Sequence, residues 1–105
     1  MPFIDTKKLE LINKGVGWRG RLFHSANMTF GHWEFDEGAT VHEHSHPQEE
    51  VWQVTEGELE ITVDGIAKVI EPGVVAIVPP NVLHSVRAKR PGRAIVVDYP
   101  LREFE

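Results

Sequence analysis

An antiparallel all-β fold, a sandwich or barrel, is what this sequence predicts. Three observations carry the prediction. Nine or ten short apolar segments follow one another, separated at regular intervals by Gly, Pro, Asn and Asp. Leu59-Glu60-Ile61-Thr62-Val63 alternates apolar and polar with the period of a half-buried strand. No segment repeats apolar residues with the period of an amphipathic helix.

Taken in order, residues 1–16 are mixed. Leu9, Leu11 and Ile12 suit either a short strand or a helical turn, and Gly15 and Gly17 punctuate the segment. Trp18 to Phe23 reads as a strand, Ser25-Ala26-Asn27 as a hairpin turn, and Met28 to Phe35 as the returning strand. Thr40 to His46 is the next strand. Pro47 interrupts the ladder because it has no N–H to donate, and Glu50 to Thr55 resumes it. Glu56-Gly57 marks a turn before Leu59 to Val63. Asp64-Gly65 predicts a two-residue hairpin into Ile66 to Ile70, since both turn positions need positive φ. After Glu71-Pro72-Gly73, the unbroken apolar run Val74 to Val78 predicts a buried strand. Residues 82–88 follow the rigid Pro79-Pro80-Asn81. Lys89-Arg90-Pro91-Gly92 is read as a turn, and Ala94 to Tyr99 as the closing strand. Leu101 to Glu105 reads as a helical turn or an extended arm.

Composition narrows the function classes. The chain has 105 residues, suiting a single domain over 1–105 with one core. Apolar residues are 41% and charged residues 26%, as in soluble globular proteins. A formal charge of −5 argues against a nucleic-acid partner, which calls for a basic stripe. The absence of cysteine excludes disulfides and thiolate metal sites, so any metal takes His, Asp, Glu, carbonyl or water. No apolar leader and no membrane-length apolar stretch are present, which predicts no membrane partner and a cytoplasmic location.

The chemistry concentrates in Gly38 to Gly57. His42, His44 and His46 sit at alternate positions, and alternate side chains of a strand share one face. Imidazoles so placed, with Glu49 and Glu50 following and His84 supplied downstream, can converge on a cation. We expect one metal held by His44, His46, Glu50 and His84.

At these residues the chain resembles the cupin superfamily, whose first motif is G-x5-H-x-H-x3,4-E-x6-G. Gly38, His44, His46, Glu50 and Gly57 fit every spacing. The competing frame through His42, His44 and Glu49 would need glycine where Asp36 and Glu56 stand. The second motif, G-x5-P-x-G-x2-H-x3-N, is matched at Gly73, Pro79 and His84. It departs at Asn81, which tolerates left-handed backbone, and at Ala88. Fifteen residues, Glu58 to Pro72, separate the motifs, the compact spacing of small microbial cupins. The motif core is about 38–88. Residues 1–35 and 93–105 would complete the barrel or a dimer interface.

The resemblance implies a double-stranded β-helix (jelly roll) holding one divalent ion per chain, Mn, Fe, Ni, Co or Zn, through three histidines and one glutamate. A looser likeness to the small cupins of pectin breakdown, which process unsaturated uronates, rests on Val78 to His84 and Asp98 to Glu103. That family's acidic catalytic position does not align without a gap. Asp98 is the nearest candidate; separately, Glu50 could be a ligand or could leave the metal to act as a base.

Around the site, His42 could be a further donor, an outer base or a solvated side chain, and the last is preferred. Glu49 is read as solvated, or as an acceptor for a ligand histidine. His24 and His32 are read as surface residues. Trp33, Phe35 and Trp52 are read as core or cavity lining, and Trp18, Phe3 and Phe30 as candidates for subunit packing. Arg21, Arg87 or Arg102 could clamp a substrate carboxylate, and nothing in the sequence selects among them.

The predicted function is a divalent-metal enzyme isomerising or hydrating a small sugar acid. Dioxygenation of a small aromatic or enediol, and a non-catalytic sensing module, are the alternatives. A small-molecule ligand and a homodimer are the expected partners.

Overall fold

The structure, a computed structural model, describes residues 2–103; the expected arm at Phe104 and Glu105 lies outside them. A short 3-10 turn over Thr6–Lys8 is followed by eight strands. These are β1 Ile12–Asn13, β2 Trp18–His24, β3 Thr29–Phe35 and β4 Thr40–His44, then β5 Glu49–Val63, β6 Ile66–Ile70, β7 Val75–Val78 and β8 His84–Tyr99. Of the residues read as strand or helical turn, Ile12 enters β1, while Leu9 and Leu11 lie between the 3-10 turn and that strand.

Every pairing is antiparallel. The path runs β1-β2-β3-β8-β5-β6, with β4 on β8 and β7 on β5. Two strands belong to both walls of the barrel. The first half of β5 pairs with β7 and its second half with β6. The second half of β8 pairs with β3 and its first half with β4. β5 and β8 pair with each other from Glu49↔Tyr99 to Val63↔His84. This is the jelly roll expected from the sequence.

Two predicted turns are absent. Glu56-Gly57 and Lys89 to Gly92 lie within β5 and β8, where the register shifts repeatedly between Val54 and Leu59. They are bulges that bend the strands around the barrel corner without ending them. Gly57 stands at φ 80°, and a Cβ on Gly92 would overlap the Glu56 carbonyl. Glycine signals close backbone approach here, not reversal of the chain. Pro91 sits at the same bulge, where a missing N–H does least harm.

The Asp64-Gly65 hairpin forms as predicted, with φ of 50° and 79°. The Ser25 turn also forms: the Ser25 N–H donates to Met28 O at 2.9 Å, and Ser25 Oγ accepts from the Met28 N–H at 3.0 Å. Val75–Val78 is not buried on both faces. Ala76 and Val78 point inward, while Val75 and Ile77 are 50% and 60% exposed, because β7 is an edge strand with one outer face.

The core lies between the walls. Phe35, Leu59, Ile61, Val54 and Val78 are essentially inaccessible, and Trp18, Trp33 and Trp52 are buried beside them. Among the described residues, no helix is long and apolar enough to cross a membrane.

Candidate metal centre

The site is assembled from three strands and a loop. β4 delivers His44, and the β4–β5 loop delivers His46. The buried Glu50 is the second residue of β5, and β8 opens with the buried His84. β4 ends at His44, two residues short of the predicted boundary, so His46 stands on irregular backbone ahead of β5. Two features fix it there. Its carbonyl accepts from the Asn81 N–H at 2.8 Å, and its Nδ1 meets Gln48 O at 3.1 Å. Asn81 is left-handed at φ 65°, the conformation expected of a residue standing in for the motif glycine.

His42, His44 and His46 keep successive ring centroids 5.5 Å apart, and His42 and His44 line the same cavity, but His42 is the more exposed. β4 carries a register shift between Val41 and His44, and the burial pattern changes parity there: Val41 and His44 are half-buried, His42 and Glu43 exposed. The bulge turns His44 inward and leaves His42 at the rim, its ring centroid 5.5 Å from that of His44.

One ring nitrogen from each of His44, His46 and His84 lies within 4.8 Å of the others. The Nδ1 atoms are all engaged with main-chain carbonyls: His44 with His42 O at 2.8 Å, His46 with Gln48 O at 3.1 Å, and His84 with Val82 O at 2.9 Å. A carbonyl only accepts, so in the neutral ring each Nδ1 carries the proton and each Nε2 is the nitrogen left to bind a cation. The Nε2 atoms of His46 and His84 are buried and lack a hydrogen-bond partner. They approach Glu50 at 3.4 and 3.2 Å without hydrogen-bond alignment. Imidazole nitrogens held this way, beside a carboxylate, could serve as donors to a divalent ion of borderline softness.

Glu50 is held from two further sides. Trp52 Nε1 donates to Oε2 at 2.7 Å, and Arg102 Nη1 donates to Oε1 at 2.9 Å. Burial would raise the Glu50 carboxyl, but contacts with His46, His84, Asp98 and Trp52 outweigh it and keep the group ionised far below the usual range. Asp98 shows the reverse. Burial raises it, the adjacent Glu50 carboxylate raises it further, and it is pushed up to about 8. Burial lowers His44, and the bond to His42 O only partly offsets this. Burial would lower His84 too, but Glu50 outweighs it and raises the group.

Of the predicted site residues, His44, His46, Glu50 and His84 are brought together. Asp98 joins them through Glu50 and His46, with ligand atoms within 4.8 Å of one another. Glu49 does not: it is exposed, opposite Tyr99 on β8. Trp33 and Trp52 line a cavity of about 320 Å³ beside the site, with Trp18, His42, His44 and Glu50. Two roles escaped the sequence. Trp52 is a hydrogen-bond donor to Glu50 as well as a wall, and the shared parity of positions 50 and 52 on one strand was the available signal. Arg102 is the arginine that reaches the site. Its carbonyl and N–H both bond Thr29 Oγ1, at 3.1 and 2.9 Å, a tether across 73 residues that leaves no local trace.

Comparison with known proteins agrees with this architecture. Residues 31–99 match the family model described as the cupin domain. A solved RmlC-like cupin from Shewanella frigidimarina is 30% identical, with 98% of this chain and 94% of that chain covered and a TM-score of 0.90. KdgF from Halomonas sp. is 21% identical, covering 98% and 96%, with a TM-score of 0.89. Oxalate decarboxylase from Bacillus subtilis is 16% identical over 92% of this chain and 29% of that one, with a TM-score of 0.83. No curated protein matches the chain. With the motif spacing, the barrel and the family match in agreement, this chain belongs to the cupin family.

Proposed function

We propose that the protein is a metal-dependent enzyme acting on a small organic acid. One divalent ion per chain would be held by His44, His46, Glu50 and His84. The observation that supports this most is the pair of buried, unpartnered Nε2 atoms of His46 and His84, set beside an ionised Glu50. A bound divalent ion supplies Lewis acidity, polarising a carbonyl or enol oxygen. The chain's own groups do the rest. Trp52 and Arg102 fix the orientation of Glu50. Glu50 faces the cavity, and Asp98 lies behind it against Glu50 and Arg102. The tryptophan walls exclude water from the reacting end. Isomerisation or hydration of a sugar acid is the first reaction class to test, from the likeness at 78–84 and 98–103.

The test is metal content by elemental mass spectrometry on untagged protein, beside His84→Ala. About one ion per chain, lost in the variant, is expected from the four-donor set. No metal in either protein after reconstitution would refute the proposal. We also propose a homodimer, since Val75, Ile77 and Tyr99, on the two strands β7 and β8 that flank the start of β5, leave apolar side chains 50–60% exposed. A solution mass near the 11.9 kDa of one chain would overturn it.

A further inference from the structure

We infer that the cavity beside the candidate metal centre takes a planar, unsaturated or aromatic carboxylate carrying few hydroxyl groups. The inference rests on the metal-site reading and sets the apolar cavity lining against the sugar-acid class suggested by the likeness at 78–84 and 98–103.

Three indole rings form most of the wall, with Val41 and Val96 between them. Their polar edges are turned to the protein. Trp18 Nε1 donates to Thr40 O at 3.1 Å, and Trp52 Nε1 to Glu50 at 2.7 Å. Trp33 lies flat on the sheet. A Cβ on Gly20 would lie 2.5 Å from its Cε3, and a Cβ on Gly31 would overlap its Nε1. Both glycines are buried on β2 and β3, so they clear the floor on which the indole rests. A ring laid down in this way presents a face to the cavity, and a face favours a flat partner.

The polar lining is confined to Lys14, His42, His44, Glu50 and Arg102. Arg102, ion-paired with Glu50 at 2.9 Å, and Lys14 put cationic groups on the lining, and a divalent ion held beside them would add to a field that favours an anionic ligand. The volume of about 320 Å³ sits at the small end of ligand pockets, roughly 300–1,000 Å³. A polyhydroxylated acid would set several hydroxyls against indole and valine. Each hydroxyl buried without a partner lowers affinity by about tenfold or more. A planar acid has no such groups to satisfy, and its carboxylate reaches the polar end.

The experiment is calorimetric titration of the metal-loaded chain, followed in parallel by tryptophan fluorescence. The probes are benzoate and salicylate, glucuronate and galacturonate, and benzyl alcohol as the neutral counterpart. The planar acids are expected to bind at least about tenfold tighter than the uronates and than benzyl alcohol, and to change the fluorescence. Lys14→Met should weaken benzoate binding without altering benzyl alcohol binding. Uronates binding as tightly as benzoate, or no planar acid binding at all, overturns the inference. Metal content measured on the same samples separates the two readings. A planar-acid preference that persists in a chain unable to take up metal supports the cavity class while refuting the metal site.

Discussion

Trp52→Phe isolates one interaction at the centre of the site. The Trp52 indole donates to Glu50 Oε2 at 2.7 Å, and both residues are buried. A hydrogen bond to a charged group contributes about 1.5–3 kcal/mol, and a neutral one about 0.5–1.5. Phenylalanine keeps the aromatic wall and removes the donor. Trp18→Phe is the matched control, because its indole also faces the cavity but donates to an uncharged carbonyl, Thr40 O, at 3.1 Å. In urea denaturation of the chelated proteins, Trp52→Phe should therefore cost about 1–2 kcal/mol more than Trp18→Phe. Metal affinity, read by competition with a chromophoric chelator, should fall about 10–100-fold in Trp52→Phe, because a partner that orients a ligand carboxylate has been lost. It should stay near the parent value in Trp18→Phe. Equal stability losses, with unchanged metal affinity in both variants, would show that Glu50 is not held by Trp52.

The remaining predictions test other links. With metal chelated, stability should fall as pH rises from about 5 to 8. Asp98 is pushed up to about 8 from 3.8, so the folded chain holds a proton that the unfolded chain has released. Asp98→Asn should flatten that slope in denaturation curves taken at stepped pH. Glu50 is shifted the opposite way, so its contribution is lost only as pH falls below its ordinary value of 4.5, outside that window. Asn81→Gly should leave the melting temperature unchanged or raise it, because Asn81 sits at φ 65°; Asn81→Ala should cost about 1–2 kcal/mol. Gly92→Ala should cost roughly 3 kcal/mol or more in denaturation, since its Cβ would overlap the Glu56 carbonyl.

Much of this was legible because motif and hairpin signals are local. Asp64-Gly65 dictates its own turn, and the spacing of His44, His46 and Glu50 survives the loss of regular strand at His46. What was illegible depends on pairing across the barrel. Gly57 and Gly92 have the sequence appearance of turns, and only the continuous ladder between β5 and β8 shows them as bulges. The bulge in β4 is invisible for the same reason, and it leaves His42 exposed at the cavity rim while His44 is half-buried. Arg102 was one arginine among several until its tether to Thr29 brought it against Glu50.

The bend at Gly57 and Gly92 also explains why the site exists at all. His84 and Asp98 open and nearly close β8, fourteen residues apart. At about 3.3 Å per residue, a straight strand would separate them by roughly 46 Å. The whole molecule is 40 Å in its longest dimension, and both residues lie against Glu50. β8 must fold back over the corner for one carboxylate to meet both of its ends, and β5 must follow it to keep the ladder paired. The glycines that permit the close crossing of Glu56 and Gly92 thus bring the donors together from a distance. Gly92→Ala should accordingly weaken metal uptake even under conditions where the chain remains folded. If metal affinity is retained in a folded Gly92→Ala protein, the corner does not set the spacing of the donors.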